Sequence, residues 1–295
     1  MINMMIIAGP ASNGIASKMS SILRSPLVKV TWKLFPDGET YIRFEKDLED
    51  TVVIVQSLYP PQDRHMLQLL FMIDAAFDLG AEKVIVVAPY LAYARQDKRF
   101  MQGEAVSIKT ILKCIENLGA SYLITVDIHK EESLKNWLKI GYVNLSAVEE
   151  LASYFKNKLI NPLVLAPDKG AIKRAERAAQ ILNCDYDYLE KFRDRITGEI
   201  SVKPKTLNVE NREILIIDDI ISTGGTIALA AKTLISLGAR KVYAACTHPL
   251  LIDGSYDRIL SSGIVDIVAT DTIPSSISKV SVANLIAEYV RNLVK

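Results

Sequence analysis

The sequence is poor in cysteine and has no long hydrophobic run. Its three cysteines, Cys114, Cys184 and Cys246, are widely spaced and form no CxxC pair. An odd number at such spacing argues against a disulfide framework or a cysteine-ligated metal site. The longest strongly apolar stretch, Val84 to Ala94, spans 11 residues, whereas a membrane-spanning helix needs about 20. We therefore expect a cytoplasmic protein that does not cross or bind a membrane.

An excess of charge of one sign is also missing, because 35 basic side chains nearly balance 34 acidic ones. The net charge of +1 argues against a general nucleic-acid binder. Neither the Walker A pattern GxxxxGK[ST] nor the pattern GxGxxG occurs. A nucleotide would therefore have to be bound without a P-loop.

Short runs of Val, Ile and Leu alternate along the chain with longer segments of helical periodicity. This alternation is typical of parallel α/β layers, in which the strands are covered on both faces. The hexapeptide 79–84 (LGAEKV) is matched by 237–242 (LGARKV). In both copies a predicted helix comes before the glycine and a predicted strand follows it. We predict two α/β domains, 1–145 and 146–295, each with a mainly parallel sheet flanked by helices. The predicted strands are Met4–Ala8, Thr51–Gln56, Lys83–Ala88, Tyr122–Val126, Leu163–Ala166, Glu213–Ile217, Lys241–Ala245 and Ile264–Ala269.

Residues 213–226 (EILIIDDIISTGGT) contain the clearest binding motif of the chain. A hydrophobic strand ends in Asp218 and Asp219, and a loop of small residues then leads into an alanine-rich helix. Glycines let backbone amides approach an anion closely, and the helix N-terminus adds positive potential. This arrangement predicts a phosphate-monoester site, with the carboxylates beside it for sugar hydroxyls or a metal ion. A capped helix after a tight turn is the structural alternative. The predicted phosphate loop consists of Ser222, Thr223, Gly224, Gly225 and Thr226.

This segment resembles the phosphoribosyl diphosphate (PRPP) binding motif of type I phosphoribosyltransferases. In the first half, 35–39 (FPDGE) and 93–98 (YARQDK) resemble signatures of the ribose-phosphate diphosphokinase family, also called PRPP synthases. The segments 126–129 (VDIH), 166–170 (APDKG) and 191–193 (KFR) follow in the family's order, so the resemblance covers essentially the whole chain. It implies two tandem phosphoribosyltransferase-like domains. It also implies Mg²⁺-dependent transfer of the β,γ-diphosphoryl group of ATP to the 1-hydroxyl of D-ribose 5-phosphate, giving PRPP and AMP for nucleotide biosynthesis.

The resemblance also implies roles for individual residues. Phe35 would stack on adenine, and Lys191 and Arg193 would be the catalytic cations, which clamp the transferring diphosphate from a mobile β-ribbon. His129 and Asp168 are the implied Mg²⁺ positions. The implied ATP-binding residues are Phe35, Asp37, Gly38, Glu39, Arg95, Gln96, Asp97 and His129. The implied ribose 5-phosphate-binding residues are Arg193, Asp218, Asp219, Ser222, Thr223, Gly224, Gly225 and Thr226. By residue type alone, structural alternatives stay open. They are a surface turn at 35–39, a solvated charge run at 95–99, a structural role for His129 and an exposed hairpin at 190–199.

The family pattern further implies that the FPDGE loop reaches the ATP site of a neighbouring subunit, so we expect at least a homodimer. The chain departs from that pattern at Ser222, where many relatives have Asp, and over 130–141 (KEESLKNWLKIG). We therefore do not transfer the family's ADP inhibition, phosphate activation or hexameric assembly to this chain. Two alternative functions are a phosphoribosyltransferase that consumes PRPP and a non-catalytic regulatory homologue.

Overall fold

The computed structural model describes residues 4–193, 200–204 and 208–295, of which 191–193 and 200–203 are described by their backbone only. The chain forms two compact units. Unit 1 comprises Met1–Ser146 and Val282–Lys295, and unit 2 comprises Ala147–Ser281. The last 14 residues thus belong with unit 1, whereas the sequence pattern had grouped them with the second domain.

Unit 1 is built on a seven-stranded sheet with the strand order β3-β2-β1-β4-β5-β6-β7. Its strands are β1 (Met4–Ala8), β2 (Leu27–Leu34), β3 (Thr40–Phe44), β4 (Thr51–Val55), β5 (Lys83–Ala88), β6 (Tyr122–Val126) and β7 (Gly141–Leu145). Its first four helices are α1 (Ile15–Leu23), α2 (Gln62–Asp78), α3 (Ser107–Asn117) and α4 (Glu132–Trp137). The strands pair in parallel, apart from the antiparallel hairpin that β2 and β3 form at one edge.

Unit 2 repeats this arrangement, with the strand order β10-β9-β8-β11-β12-β13-β14. Its strands are β8 (Pro162–Ala166), β9 (Asp185–Arg193), β10 (Ile200–Pro204), β11 (Glu213–Ile221), β12 (Lys241–Pro249), β13 (Ile264–Thr270) and β14 (Ser278–Val280). Its helices are α5 (Val148–Phe155), α6 (Ile172–Leu182), α7 (Gly225–Ser236) and α8 (Ser255–Leu260), with a 3₁₀ turn at Lys169–Ala171. Here too an edge pair, β9 and β10, is antiparallel, while the other strand pairs are parallel.

The central strands are buried on both faces, as their continuous aliphatic runs predict. Residues 84–88 of β5 and 214–217 of β11 have no exposed surface. The repeated strand order confirms the predicted α/β fold with two mainly parallel sheets. Across the part of the chain that the structure describes, no helix has the length and apolar character needed to cross a bilayer.

The last helix, α9 (Ala283–Leu293), packs on α1 of unit 1. Its buried residues Ala283, Ile286, Ala287 and Val290 recur at helical spacing. The hydroxyls of Tyr289 and Tyr122 lie 2.6 Å apart, and Arg291 donates to the carbonyl of Ile22 at 3.1 Å. The sequence pattern shows that this helix has an apolar face, but only the tertiary structure shows which unit covers it.

Candidate active site

The predicted phosphate loop connects β11 to α7 at the carboxyl end of the second sheet. Gly224 precedes α7 with φ 73°, and no side chain caps the helix. The amide of Ala228 donates to the carbonyl of Gly224 at 2.9 Å, so the amides of 225–227 precede the first intrahelical hydrogen bond. A side chain at Gly225 would meet nothing within 4 Å. The loop therefore presents amide donors and the positive end of α7 to open space, as binding of a phosphate requires.

A second segment, 251–259, packs against this loop and donates hydrogen bonds to its carbonyls. The amides of Leu251 and Ile252 donate to the carbonyls of Ile221 and Ser222 at 3.1 and 3.2 Å. A Cβ at Gly224 would lie 2.7 Å from Cδ1 of Ile259. Both this close packing and the positive φ require glycine at position 224.

Asp218 and Asp219 lie within β11, whose pairing with β12 continues to Ile221, so the strand is longer than the predicted Glu213–Ile217. A guanidinium group from α6 faces both carboxylates. Nη1 of Arg174 lies 3.3 Å from Oδ1 of Asp218 and 3.7 Å from Oδ1 of Asp219. Burial and the neighbouring carboxylate raise the pKa of Asp218 to about 8, although Arg174 opposes the shift. No sequence pattern pointed to Arg174, because its contact with the two carboxylates depends on how α6 packs against β11.

Two further predicted elements lie in the same unit. Asp168 follows β8, which neighbours β11, and its exposed carboxylate accepts a hydrogen bond from the amide of Gly170 at 2.8 Å. Lys191 and Arg193 lie on β9, whose backbone pairs with β10 as an antiparallel β-ribbon. Their side chains lie outside the described part of the structure.

The FPDGE loop is the turn between β2 and β3. The amide of Phe35 donates to the carbonyl of Glu39 at 2.8 Å, and the amide of Gly38 donates to the carbonyl of Phe35 at 2.9 Å. Gly38 has φ 95°, and the amide of Glu39 donates to Asp37 at 3.1 Å. Phe35 remains 40% exposed, and Nζ of Lys33 lies 5.1 Å from the centre of its ring. The loop thus holds an accessible aromatic ring beside two exposed carboxylates.

Arg95, Gln96 and Asp97 lie in a loop between β5 and α3. Arg95 is exposed, whereas Gln96 and Asp97 are half-buried. Glu104, which the sequence did not single out, organises the end of this loop. Its carboxylate accepts hydrogen bonds from the amides of Phe100 and Met101 at 2.7 and 3.0 Å, and these bonds lower the pKa of Glu104.

His129 is exposed beyond the end of β6. Alternation along an extended chain predicts that the side chains of Asp127 and His129 lie on the same side, and this prediction is wrong. Asp127 has φ 40°, so the chain leaves the extended conformation on which side-chain alternation depends. Its carboxylate is buried and accepts a hydrogen bond from the hydroxyl of Ser146 at 3.0 Å. Among the described residues no three His, Cys, Asp or Glu side chains gather into a metal-binding group. The three cysteines are free thiols.

Comparisons with known proteins agree with these motifs. The family model described as the N-terminal domain of ribose phosphate pyrophosphokinase matches residues 4–119, and the phosphoribosyl transferase domain matches 141–280. The ribose-phosphate pyrophosphokinase of Sulfolobus acidocaldarius is 45% identical over 293 residues, covering 98% of this chain and 100% of that protein. The one from Methanopyrus kandleri is 41% identical over 293 residues, covering 98% and 99%.

A solved structure matches over the same length. The phosphoribosylpyrophosphate synthetase of Mycobacterium smegmatis aligns with a TM-score of 0.88 and 26% identity, covering 99% of this chain and 98% of that one. The similarity thus spans both units and confirms the resemblance seen in the motifs. The chain belongs to the ribose-phosphate pyrophosphokinase family.

Proposed function

We propose that the protein transfers the β,γ-diphosphoryl group of ATP to the 1-hydroxyl of D-ribose 5-phosphate, producing PRPP and AMP. The observation that carries this proposal is the similarity to ribose-phosphate pyrophosphokinases, which covers 98% of the chain. A phosphoribosyltransferase that consumes PRPP would account for the phosphate loop of unit 2. It would not account for the match of 4–119 to the N-terminal pyrophosphokinase domain.

Ribose 5-phosphate binds, in this proposal, at the carboxyl end of β11. The loop 222–226 receives the 5-phosphate, since its amides and hydroxyls are hydrogen-bond donors beside a positive helix end. Asp218 and Asp219 accept hydrogen bonds from the ribose hydroxyls. Support comes from the glycine geometry of the loop and from the space in front of Gly225.

ATP binds to residues of unit 1. The exposed ring of Phe35 stacks on adenine, Asp37 and Glu39 accept hydrogen bonds from the amino group or the ribose, and Arg95 contacts the phosphates with Gln96. The loop residues Gly38 and Asp97 shape the site. His129 lies beside the phosphates, where it would also contact the metal ion.

Self-association completes the ATP site in this proposal. Apolar side chains are exposed on the β2–β3 hairpin and on α2, at Trp32, Leu34, Phe35, Leu67 and Phe71. Gln68 of α2 donates to Thr40 of β3 at 3.2 Å, so the hairpin and this helix adjoin. Exposed apolar residues on adjoining elements commonly mark a protein interface. We therefore propose at least a homodimer.

The reaction needs positioning and charge neutralisation more than covalent catalysis. The 1-hydroxyl oxygen attacks the β-phosphorus of ATP in line and loses its proton to the solvent, the bond from this phosphorus to the α-phosphate oxygen breaks, and AMP leaves. Lys191, Arg193 and Arg95 neutralise the negative charge of the transferring group. A lid made by Lys191–Arg193 would exclude water.

A divalent metal ion, Mg²⁺ in this proposal, would add further positive charge at the phosphates. His129 would hold this ion together with ATP, and Asp168 would hold a second ion near the ribose. Asp168 is exposed and directs only one of its two carboxylate oxygens to the Gly170 amide. Such a sparse protein donor set fits Mg²⁺, which usually takes one or two carboxylates and completes its shell with substrate phosphates and water.

A phosphorus NMR time course of the protein with ATP, ribose 5-phosphate and MgCl₂ tests the proposal. We expect AMP and an anomeric diphosphate to grow in equal amounts, and D-ribose without its phosphate to give no product. Formation of ADP would show γ-phosphoryl transfer and refute the reaction type. If no product forms, PRPP with a nucleobase is added, because a nucleotide product would then identify a PRPP-consuming transferase. Absence of product in both assays would favour a non-catalytic regulatory homologue.

A further inference from the structure

The amides of the phosphate loop are oriented by hydrogen bonds on their carbonyl side. Three successive carbonyls, those of Ile221, Ser222 and Thr223, accept hydrogen bonds from the segment 251–258. In a planar trans peptide the N–H points away from the C=O of the preceding residue. The amides of Ser222, Thr223 and Gly224 are therefore turned away from that segment.

Only one of these three hydrogen bonds depends on a side chain. The bonds to Ile221 and Ser222 come from backbone amides, at 3.1 and 3.2 Å. The bond to the carbonyl of Thr223 comes from Nη1 of Arg258 in α8. Nη2 of the same guanidinium donates to the carbonyl of Asp253 at 3.1 Å. Arg258 thus ties the phosphate loop to the turn before α8 and sets the direction of the Gly224 amide.

We propose that Arg258 is a positioning residue for the 5-phosphate of the sugar substrate, acting through the Thr223–Gly224 peptide. This inference rests on the proposed function, because it assigns the 5-phosphate to the loop 222–226. The rigid fork of the guanidinium suits the task, since it satisfies two carbonyls at once. The positive charge also lies beside the loop, which adds to its attraction for an anion.

The test compares Arg258→Gln and Arg258→Lys with a matched variant, Arg240→Gln. Arg240 precedes β12 and lies 3.8 Å from the carboxylate of Glu213, at the amino ends of the strands, whereas the loop lies at their carboxyl ends. Loss of one charge-assisted hydrogen bond predicts a rise of about tenfold or more in the KM and Kd for ribose 5-phosphate in Arg258→Gln. We expect the KM for ATP and the kcat to change less than about twofold, because Arg258 acts on binding of the 5-phosphate rather than on ATP or the reacting atoms. Lysine, which can donate to one of the two carbonyls, should restore part of the affinity.

Two readouts separate positioning from general structural damage. Calorimetric titration with ribose 5-phosphate alone reports binding without turnover. In the ligand-free protein, the backbone amide resonance of Gly224 should shift in Arg258→Gln and stay unchanged in Arg240→Gln. The role of Arg258 would be overturned if Arg258→Gln had an unchanged KM for ribose 5-phosphate, or if it lost affinity for both substrates equally. If wild-type protein binds ribose 5-phosphate but Arg258→Gln binds equally well, only this inference fails. If wild type neither binds it nor forms PRPP, the proposed function fails.

Discussion

Replacement of Arg174 by glutamine should destabilise the protein more at pH 9 than at pH 7. The folded carboxyl of Asp218 has a pKa raised to about 8 from 3.8, so the folded state binds more protons than the unfolded state between these values. Wild-type stability therefore falls as the pH rises from about 4 to 8, and it levels off once both states are ionised. Without the cation the pKa of Asp218 rises further, and stability continues to fall above pH 8.

The size of the effect follows from linkage. At an effective dielectric constant of about 20, the 3.3 Å pair of Arg174 and ionised Asp218 has a gross attraction of about 5 kcal/mol. The variant avoids an unpaired buried charge by keeping Asp218 protonated. At pH 9, above the wild-type pKa, this costs on the order of 1 kcal/mol relative to wild type, whereas at pH 7, below that pKa, the cost is negligible. The extra loss at pH 9 corresponds to a fall of roughly 2–4 °C in unfolding temperature.

Thermal unfolding of wild type and Arg174→Gln at both pH values measures this difference. Arg177→Gln is the matched control, since Arg177 lies three residues later on α6 and pairs with the exposed Glu149. Both members of that pair are exposed, so the variant should lose the same small amount of stability at pH 7 and pH 9. An Arg174→Gln deficit that stays constant between pH 7 and 9 would refute the proposed coupling of Asp218 to this guanidinium.

Three further predictions, the first with a control substitution, test the remaining parts of the site. Gly224→Ala should lower the unfolding temperature and weaken ribose 5-phosphate binding, because the added Cβ would lie 2.7 Å from Ile259. Gly225→Ala is the control: its added Cβ meets nothing within 4 Å, so the variant should unfold within about 3 °C of wild type. Phe35→Ala should raise the KM for ATP about tenfold through lost stacking and leave calorimetric binding of ribose 5-phosphate unchanged; equal effects on both substrates would contradict the adenine contact. Lys191→Ala should lower kcat about 100-fold or more with nearly unchanged ribose 5-phosphate affinity, and retained activity in a steady-state assay would remove Lys191 from the catalytic group.

The buried strands could be predicted from the sequence because they are local runs of aliphatic residues. β1, β5 and β6 have the predicted bounds. Strands at or near the sheet edges gave weaker signals, since an exposed face admits polar residues. β2 (LVKVTWKL) and β3 (TYIRF) mix lysine, arginine and threonine with apolar residues, so neither was predicted as a strand.

In the candidate site, too, features that are local in the chain could be predicted, whereas contacts between distant segments could not. The loop 222–226 and the acid pair before it are contiguous in the chain, so their chemistry could be recognised without the fold. Arg174 and Arg258 come from other helices, and no local pattern distinguishes them from ordinary surface arginines. Asp127 shows the opposite failure, because a single positive φ cancelled the alternation from which its orientation was predicted.

The sequence by itself determined the α/β class, the duplication and the small-residue loop that we predict to bind phosphate, since each depends on residues close together in the chain. Tertiary structure alone decided that α9 packs with unit 1, that Arg174 faces two carboxylates and that Arg258 supports the loop. These features depend on packing between distant segments. An amphipathic helix or a single arginine specifies only the kind of partner it needs, and the fold decides which segment supplies it.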